Sequence, residues 1–270
     1  MSLLPPPSRL VTDPGLEGSV HLGMPHLVPG GLSETWLLRH LGDVHWQMLA
    51  RQLGCAPSRI TDRTGTRVYA AFRHVTLEGL RLDAAREDGR LEVRSHLWRL
   101  SRTQVLSRHA LMLDGAAAGT AILVSAFVRR EAASNRRICR VEVPGLADLP
   151  DWDGARPAPL VLPQAPEAAR LTFTPCPAED FNGAGFLYFS SYVSLAERAL
   201  FSHAPGLARA TTARGRRIAY QGNIDPGDAV DILTHLADAQ GGTLCTTRLV
   251  RGGDAAVLAE MVALRTPAAP

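Results

Sequence analysis

Lysine is missing altogether: the 29 basic residues are all arginine, and they stand against 26 Asp and Glu for a net charge of +3. Arginines cluster at Arg129-Arg130, Arg136-Arg137-Arg140 and Arg214-Arg216-Arg217. Aromatics are not interleaved with them, which argues against nucleic acid as a partner. They read as solvated faces, or as a landing place for an acidic carrier protein or for coenzyme phosphates. No apolar run reaches the ~18 residues of a transmembrane helix, so no membrane partner is expected. The opening Met-Ser-Leu-Leu-Pro-Pro-Pro lacks the charged and apolar regions of a signal peptide, and a cytoplasmic location is expected. The four cysteines, Cys55, Cys139, Cys176 and Cys245, have no metal-ligand spacing. They are expected to be reduced and buried, with no metal bound. No Walker or Rossmann glycine pattern occurs, so no bound cofactor is expected. Ser33 lacks the Gly-x-Ser-x-Gly context of a hydrolase nucleophile.

What is present is enough for a sizeable core: 46% of residues are hydrophobic and 20% charged. The length suits one large domain or two of about 120 residues. The stretch 22–50 reads as a short strand, a turn at Gly30-Gly31 and a long helix. Ser33 is placed to cap that helix, and Glu34 puts a carboxylate in its first turn. Leu37, Leu41, Val44 and Met48 recur at helical spacing, and Gly54 with Pro57 ends the run. The helix start points free N–H groups over Gly31 and Leu32, a setting suited to an oxyanion. Strand-like runs follow at 67–78, 91–100, 103–113 and 120–130, separated by turn signals such as Asp88-Gly89 and Asp114-Gly115.

Six prolines between Pro144 and Pro166 break this rhythm. Residues 144–168 therefore read as a semi-rigid linker or a strap over the surface. The earlier order then returns. A short strand at 171–175 precedes the turn Asp180-Phe-Asn-Gly-Ala-Gly185, a helix at 186–201, and strands at 216–221, 228–237, 243–251 and 255–265. The halves share a pattern rather than residues. The expected organisation is a flexible tail at 1–17, a unit at 18–143, the linker at 144–168 and a second unit at 169–270. Each unit is an antiparallel sheet wrapped round a helix, which makes the class α+β and the fold a double hot-dog. The two sheets can join edge to edge and so remove two exposed edges. The oligomer is left open between monomer and homodimer.

Gly-Met-Pro-His-Leu (23–27), Gly-Leu-Ser-Glu-Thr-Trp-Leu-Leu (31–38) and Gly-Asp-Val-His-Trp (42–46) resemble the leinamycin-type bifunctional acyltransferase/decarboxylases of polyketide biosynthesis. The stretch 180–192 is similar to the glycine turn and helix of hot-dog thioesterases generally. The first resemblance implies that methylmalonyl-CoA acylates a tyrosine, that the acyl group loses its carboxylate, and that propionyl passes to a phosphopantetheinylated acyl carrier protein. It maps the tyrosine to Tyr69. The second implies a thioester carbonyl held near Asn182 and Gly183.

The residues bear on this chemistry in their own right. A phenol of ordinary pKa near 10 needs a base, a donor or a positive field to act as a nucleophile. Strand alternation puts Arg67 and Arg73 on the face of Tyr69 as candidate substrate-binding residues. Tyr69 is equally an ordinary strand residue. His26 is a candidate proton carrier, histidine being the usual one near neutral pH, or a structural histidine. His40 and Asp43 are three apart on the helix and can touch. Asn182 polarises a carbonyl or merely makes a turn. Asp180 is the candidate base if the reaction is hydrolysis. The alternatives to acyl transfer are therefore a hot-dog thioesterase or dehydratase, and a non-catalytic module that binds an acyl chain or carrier protein.

Overall fold

The structure, a computed structural model, describes residues 15–162 and 169–268. The first half runs β1 (Leu16–His21), a two-residue hairpin β2 (Leu27–Val28) and β3 (Gly31–Leu32), and the long helix α1 (Glu34–Gln52). Strands β4 (Tyr69–Glu78), β5 (Arg90–Ser101), β6 (Gln104–Leu113), β7 (Ala116–Arg130) and β8 (Ile138–Arg140) follow. The second half runs β9 (Ala169–Phe173), a short helix α2 (Pro177–Asp180), the long helix α3 (Phe189–His203) and a short helix α4 (Pro205–Ala210). It ends with β10 (Thr211–Tyr220), β11 (Val230–Ala239), β12 (Gly242–Arg251) and β13 (Val257–Pro267).

One antiparallel sheet holds both halves, in the order β1-β5-β6-β7-β4-β10-β13-β12-β11-β9, with β8 added beside β7. Each half uses the same plan. Its first strand lies at the far edge, and the strand after its long helix lies at the middle. The halves join where β4 pairs with β10, from Leu77–Arg216 to His74–Ala219. Two edges that would otherwise be open to other chains cover each other there. This is the α+β double hot-dog the sequence pattern implied.

The helices pack side by side on one face of the sheet. Leu37, Leu38 and Leu41 of α1 share a buried cluster with Tyr192, Val193 and Leu195 of α3 and with Phe72, Val75 and Ile218 beneath. Gly42 permits the contact, because a Cβ there would meet the Phe189 ring at 2.7 Å. Arg216 is buried beneath the helices, bonding Glu34 of α1 at 2.6 and 3.1 Å and Glu197 of α3 at 2.6 Å. Arg265 adds a second cation to Glu197 at 2.9 Å. Of the cluster Arg214-Arg216-Arg217, the middle member belongs to the core, where only paired charges are tolerated, whereas Arg217 is exposed.

Several boundaries differ from the sequence reading. Leu16 and Glu17, expected in a loose tail, pair with Ser95 and Arg94 in β1. Residues 1–14 lie outside the described residues, as do 163–168 of the proline-rich segment and 269–270. The described part of that segment is strapped to the sheet. Asp151 binds Arg99 at 2.7 Å, Trp152 packs edge-on to Trp98, and Ala158 accepts from Arg217. The cysteines are all free, but Cys245 alone is buried, and Cys176 is exposed. No helix among the described residues is long and apolar enough to cross a membrane.

Candidate active site

Beyond His74–Ala219 the two middle strands are no longer paired. A cavity of about 100 Å³ opens between Tyr69–Arg73 of β4 and the Tyr220–Asn223 end of β10, under the start of α3. Its walls are largely apolar, with Trp46, Phe72, Val128, Ile138, Phe186 and Phe189 among them. Tyr69 and Asn182, from different halves, line the same cavity, and so does Arg73.

Four polar groups at this cavity have no partner among the described residues. The first is the Tyr69 hydroxyl, whose ring packs edge-on to Phe186 with centroids 5.4 Å apart. Guanidinium carbons of Arg67 and Arg130 lie 5.2 and 5.9 Å from its ring centroid, a cation–π range. Arg67, expected as a substrate-binding residue, is exposed and is not among the cavity walls. The second is the Asn182 side-chain nitrogen. Oδ1 of Asn182 accepts from the backbone of Ala184 at 3.0 Å and Phe186 at 3.1 Å, which leaves Nδ2 as its unused donor. Asn182 thus makes the turn and still presents a donor. The third is the Tyr188 hydroxyl, its pKa raised by burial and by Asp43. The fourth is Arg73, half-buried, with its pKa lowered by burial and by Arg140.

The start of α3 adds backbone donors. Tyr188 caps the helix without a side-chain bond, and no acidic residue occupies the first turn. The N–H groups of Phe189 and Ser190 have no acceptor among the described residues. Such a terminus carries a partial positive charge and favours an oxyanion. The start of α1 is the opposite case. Ser33 accepts from Trp36 at 3.2 Å, and Glu34 supplies its own carboxylate. Gly31 and Leu32, expected as oxyanion donors, are not at the cavity. Gly31, at φ +117°, lies so close to Leu82 that a Cβ would sit 2.1 Å from its carbonyl oxygen. Close backbone packing, rather than ligand binding, is what requires glycine there.

His26 is also elsewhere. Its Nδ1 accepts from the Gly23 N–H at 2.8 Å, and its ring meets Trp36 edge-on. Trp36 stacks in turn on His40, while Asp43 accepts from Gln47 at 2.7 Å. Gly183 is exposed beside Asn182 with open space around its Cα. The Asp180 carboxylate accepts from the Cys176 N–H at 2.8 Å, and its side chain is not among the cavity walls. Among the described residues, no Asp, Glu or His lines the cavity, and no group of three His, Cys, Asp or Glu stands ready to hold a metal ion.

Residues the sequence reading did not connect with the site hold the loop in place. Arg130 donates to the Ala184 carbonyl and, at 2.8 Å, to Asn135. Asn135 donates to the carbonyls of Gly185 at 2.6 Å and Ile224 at 2.8 Å. Asn223 accepts from the Leu187 N–H at 3.0 Å. Arg130 and Asn135 come from the first half and the loop from the second. No spacing along the chain could have announced that meeting.

Fold and cavity define a double hot-dog protein. Among solved structures the chain is similar to the 12:0-ACP thioesterase of Umbellularia californica, with a TM-score of 0.73 and 11% identity over 94% of each chain. An acyl-ACP thioesterase of Bacteroides thetaiotaomicron gives 0.69 and 14% identity, over 93% of this chain and 98% of that one. A MaoC-like dehydratase of Phytophthora capsici gives 0.56 and 11%, over 97% and 98%. At these identities the likeness establishes the fold. No family model matches the chain, and no curated protein does either.

Proposed function

We propose that the chain is an acyl-thioester enzyme. In this reading Asn182 Nδ2 and the α3 N–H groups hold the thioester carbonyl oxygen, and Tyr69 takes the acyl group. The observation that carries it is that Tyr69, Asn182, Tyr188 and Phe189 line one small, largely apolar cavity, where the Tyr69 hydroxyl and Asn182 Nδ2 have no hydrogen-bond partner among the described residues. The names of the fold's neighbours, two acyl-ACP thioesterases and a dehydratase, support thioesters as the substrate class.

The finer reading is transfer with decarboxylation, from methylmalonyl-CoA to a phosphopantetheinylated acyl carrier protein. The Tyr69 oxygen attacks the thioester carbon, the C–S bond breaks, and the phenolic proton leaves with the CoA thiol. Loss of CO₂ leaves an enolate, whose oxygen the same donors stabilise, and the α-carbon takes a proton from solvent. The carrier thiol then attacks the ester carbon, the C–O bond to Tyr69 breaks, and the thiol proton passes to the phenolate, regenerating tyrosine. None of these steps needs a carboxylate or imidazole in the cavity wall.

Hydrolysis or dehydration is the second reading, favoured by the neighbours' names. It calls for a group that activates water or removes a proton. Asp180 is the nearest candidate in sequence, and its carboxylate is committed to Cys176. Intact-protein mass spectrometry after mixing with methylmalonyl-CoA separates the readings. Acyl transfer predicts an adduct that Tyr69→Phe abolishes while circular dichroism stays unchanged. Release of free acid at equal rates from wild type and Tyr69→Phe would establish the hydrolytic reading instead.

A further inference from the structure

Both middle strands carry a β-bulge, and in each the extra residue is an arginine. The register of β4 on β7 slips between Phe72 and His74, leaving Arg73 unpaired with β7. The register of β10 on β13 slips between Ala213 and Gly215, leaving Arg214 likewise. Matching the bulges relates Thr76 to Arg217, and these two face each other where the halves meet. The bulges are thus one feature of a repeated unit, seen twice. A bulge re-aims the side chain it carries, and Arg73 and Arg214 are aimed at equivalent ground.

What they meet there differs. Arg214 donates to both oxygens of Asp83, at 2.6 and 2.7 Å, and to Thr266 at 2.9 Å. Asp83 lies in the single helical turn Leu82–Ala84 that follows β4. The acidic residue in the corresponding stretch after β10 is Asp225. Its carboxylate is turned away to Ser134 and the Asn135 N–H, both at 2.7 Å, with Arg136 at 3.5 Å. Arg73 consequently has no hydrogen bond or ion pair with any described residue, although it lines the cavity.

Its neighbours deepen the deficit. Arg140 repels it, and follows the cavity-lining Ile138 by two positions on the same face of β8. Arg140 itself has no carboxylate partner among the described residues, and Arg217 gives its bond to the Ala158 carbonyl. A half-buried cation without an anion is unfavourable, and the guanidinium fork matches a carboxylate or phosphate.

We propose that Arg73 is the seat for an oxyanion carried by the thioester substrate, taking at the cavity the part that Asp83 takes at Arg214. The inference rests on the acyl-thioester reading. The oxyanion has two sources in such a molecule, a carboxylate on the acyl group or a phosphate on the pantetheine arm.

Four substrates separate the sources: methylmalonyl and propionyl esters, each of CoA and of N-acetylcysteamine, which lacks phosphate. Wild type, Arg73→Gln and Arg73→Lys are compared by KM and kcat, with folding checked by circular dichroism. A phosphate at Arg73 predicts that Arg73→Gln raises KM on the order of tenfold or more for both CoA esters and for neither N-acetylcysteamine ester. A carboxylate predicts the same rise for both methylmalonyl esters and for neither propionyl ester. Arg73→Lys falls between, keeping the charge and losing the fork. Equal effects on all four substrates, or none, overturn the seat and leave the thioester reading intact. The reverse failure is also readable by calorimetry with pyrophosphate and methylmalonate. If wild type turns over no thioester but binds either anion, and Arg73→Gln abolishes that binding, the seat stands and the thioester reading falls.

Discussion

Phe189 of α3 packs on Gly42 of α1 so closely that a methyl group at Gly42 would lie 2.7 Å from the ring. Phe189 also lines the cavity, so this contact couples helix packing to the site. Gly42→Ala gains about 1 kcal/mol of helix propensity but overpacks a full contact, at about 1–3 kcal/mol. A net loss of up to about 2 kcal/mol is expected in urea unfolding. The displaced ring should lower kcat/KM as well. Unchanged stability with unchanged activity would mean that the helices separate freely at this point.

Asn182 has two separable duties. Asn182→Asp keeps an oxygen for the Ala184 and Phe186 N–H groups and removes the donor. Asn182→Ala removes both. The Asp variant should fold as stably as wild type yet lose on the order of 10²–10³ in rate, as for a lost oxyanion donor. The Ala variant should lose stability too, by about 2 kcal/mol, at about 1 kcal/mol for each of the two hydrogen bonds lost. A fully active Asp variant would reduce Asn182 to a turn residue.

A chain of five buried side chains runs from α1 into the sheet. His45 bonds Ser107 at 2.7 Å and Ser125 at 2.8 Å, and His109 bonds Ser107 at 2.8 Å and Ser95 at 2.7 Å. Burial holds the pKa of each histidine near 3, with His45 adding to the shift of His109, against 6.5 when solvated. Between these values the unfolded chain binds more protons, so stability rises with pH. At pH 5 each histidine should cost about 2 kcal/mol relative to pH 7, at 1.36 kcal/mol per pH unit. Urea unfolding at the two pH values measures this, and replacing both histidines by Gln should flatten the difference. Ser107 has one proton to share between two rings, so the tautomers are locked together. Nitrogen NMR should find protons on both Nδ1 atoms or on both Nε2 atoms, never one of each.

Arg216 is buried with a carboxylate from each helix. Arg216→Met leaves Glu34 without its cation, while Glu197 keeps Arg265. A loss of about 3–5 kcal/mol is expected in the unfolding midpoint. Adding Glu34→Gln should recover part of it, because the stranded charge goes. No recovery would mean that the guanidinium's packing, rather than its charge, carries the effect.

The repeated plan was legible because strand and helix periods survive without shared residues, and Gly30-Gly31 and Asn182-Gly183 mark the turns. The α3 start was misjudged by three residues. Phe186 and Leu187 continue the apolar run, yet the Asn182 turn and Asn223 hold them extended. Tyr69, Arg73 and Asn182 could be named as candidates, since each carries chemistry at a recognisable position. Their convergence could not be read, because it depends on β4 and β10 parting beyond His74. Both helix starts could be named as oxyanion settings, but not that the first is filled by the chain's own groups. Glu34 looked like a favourable first-turn charge, and its partner Arg216 is a long way off in sequence.

Repetition gives the chain two helix starts and two bulge arginines, but its own side chains occupy one set. Ser33 and Glu34 fill the start of α1, and Asp83 fills the fork of Arg214. The set at α3 and Arg73 is left unfilled by the chain's own side chains, although the start of α1 also borders a wider hollow of about 740 Å³ lined by Leu32, Glu34, Phe173 and Phe201. If that set is the ligand seat, the two units share a single site, and titration calorimetry should find one ligand per chain with no cooperativity between the halves.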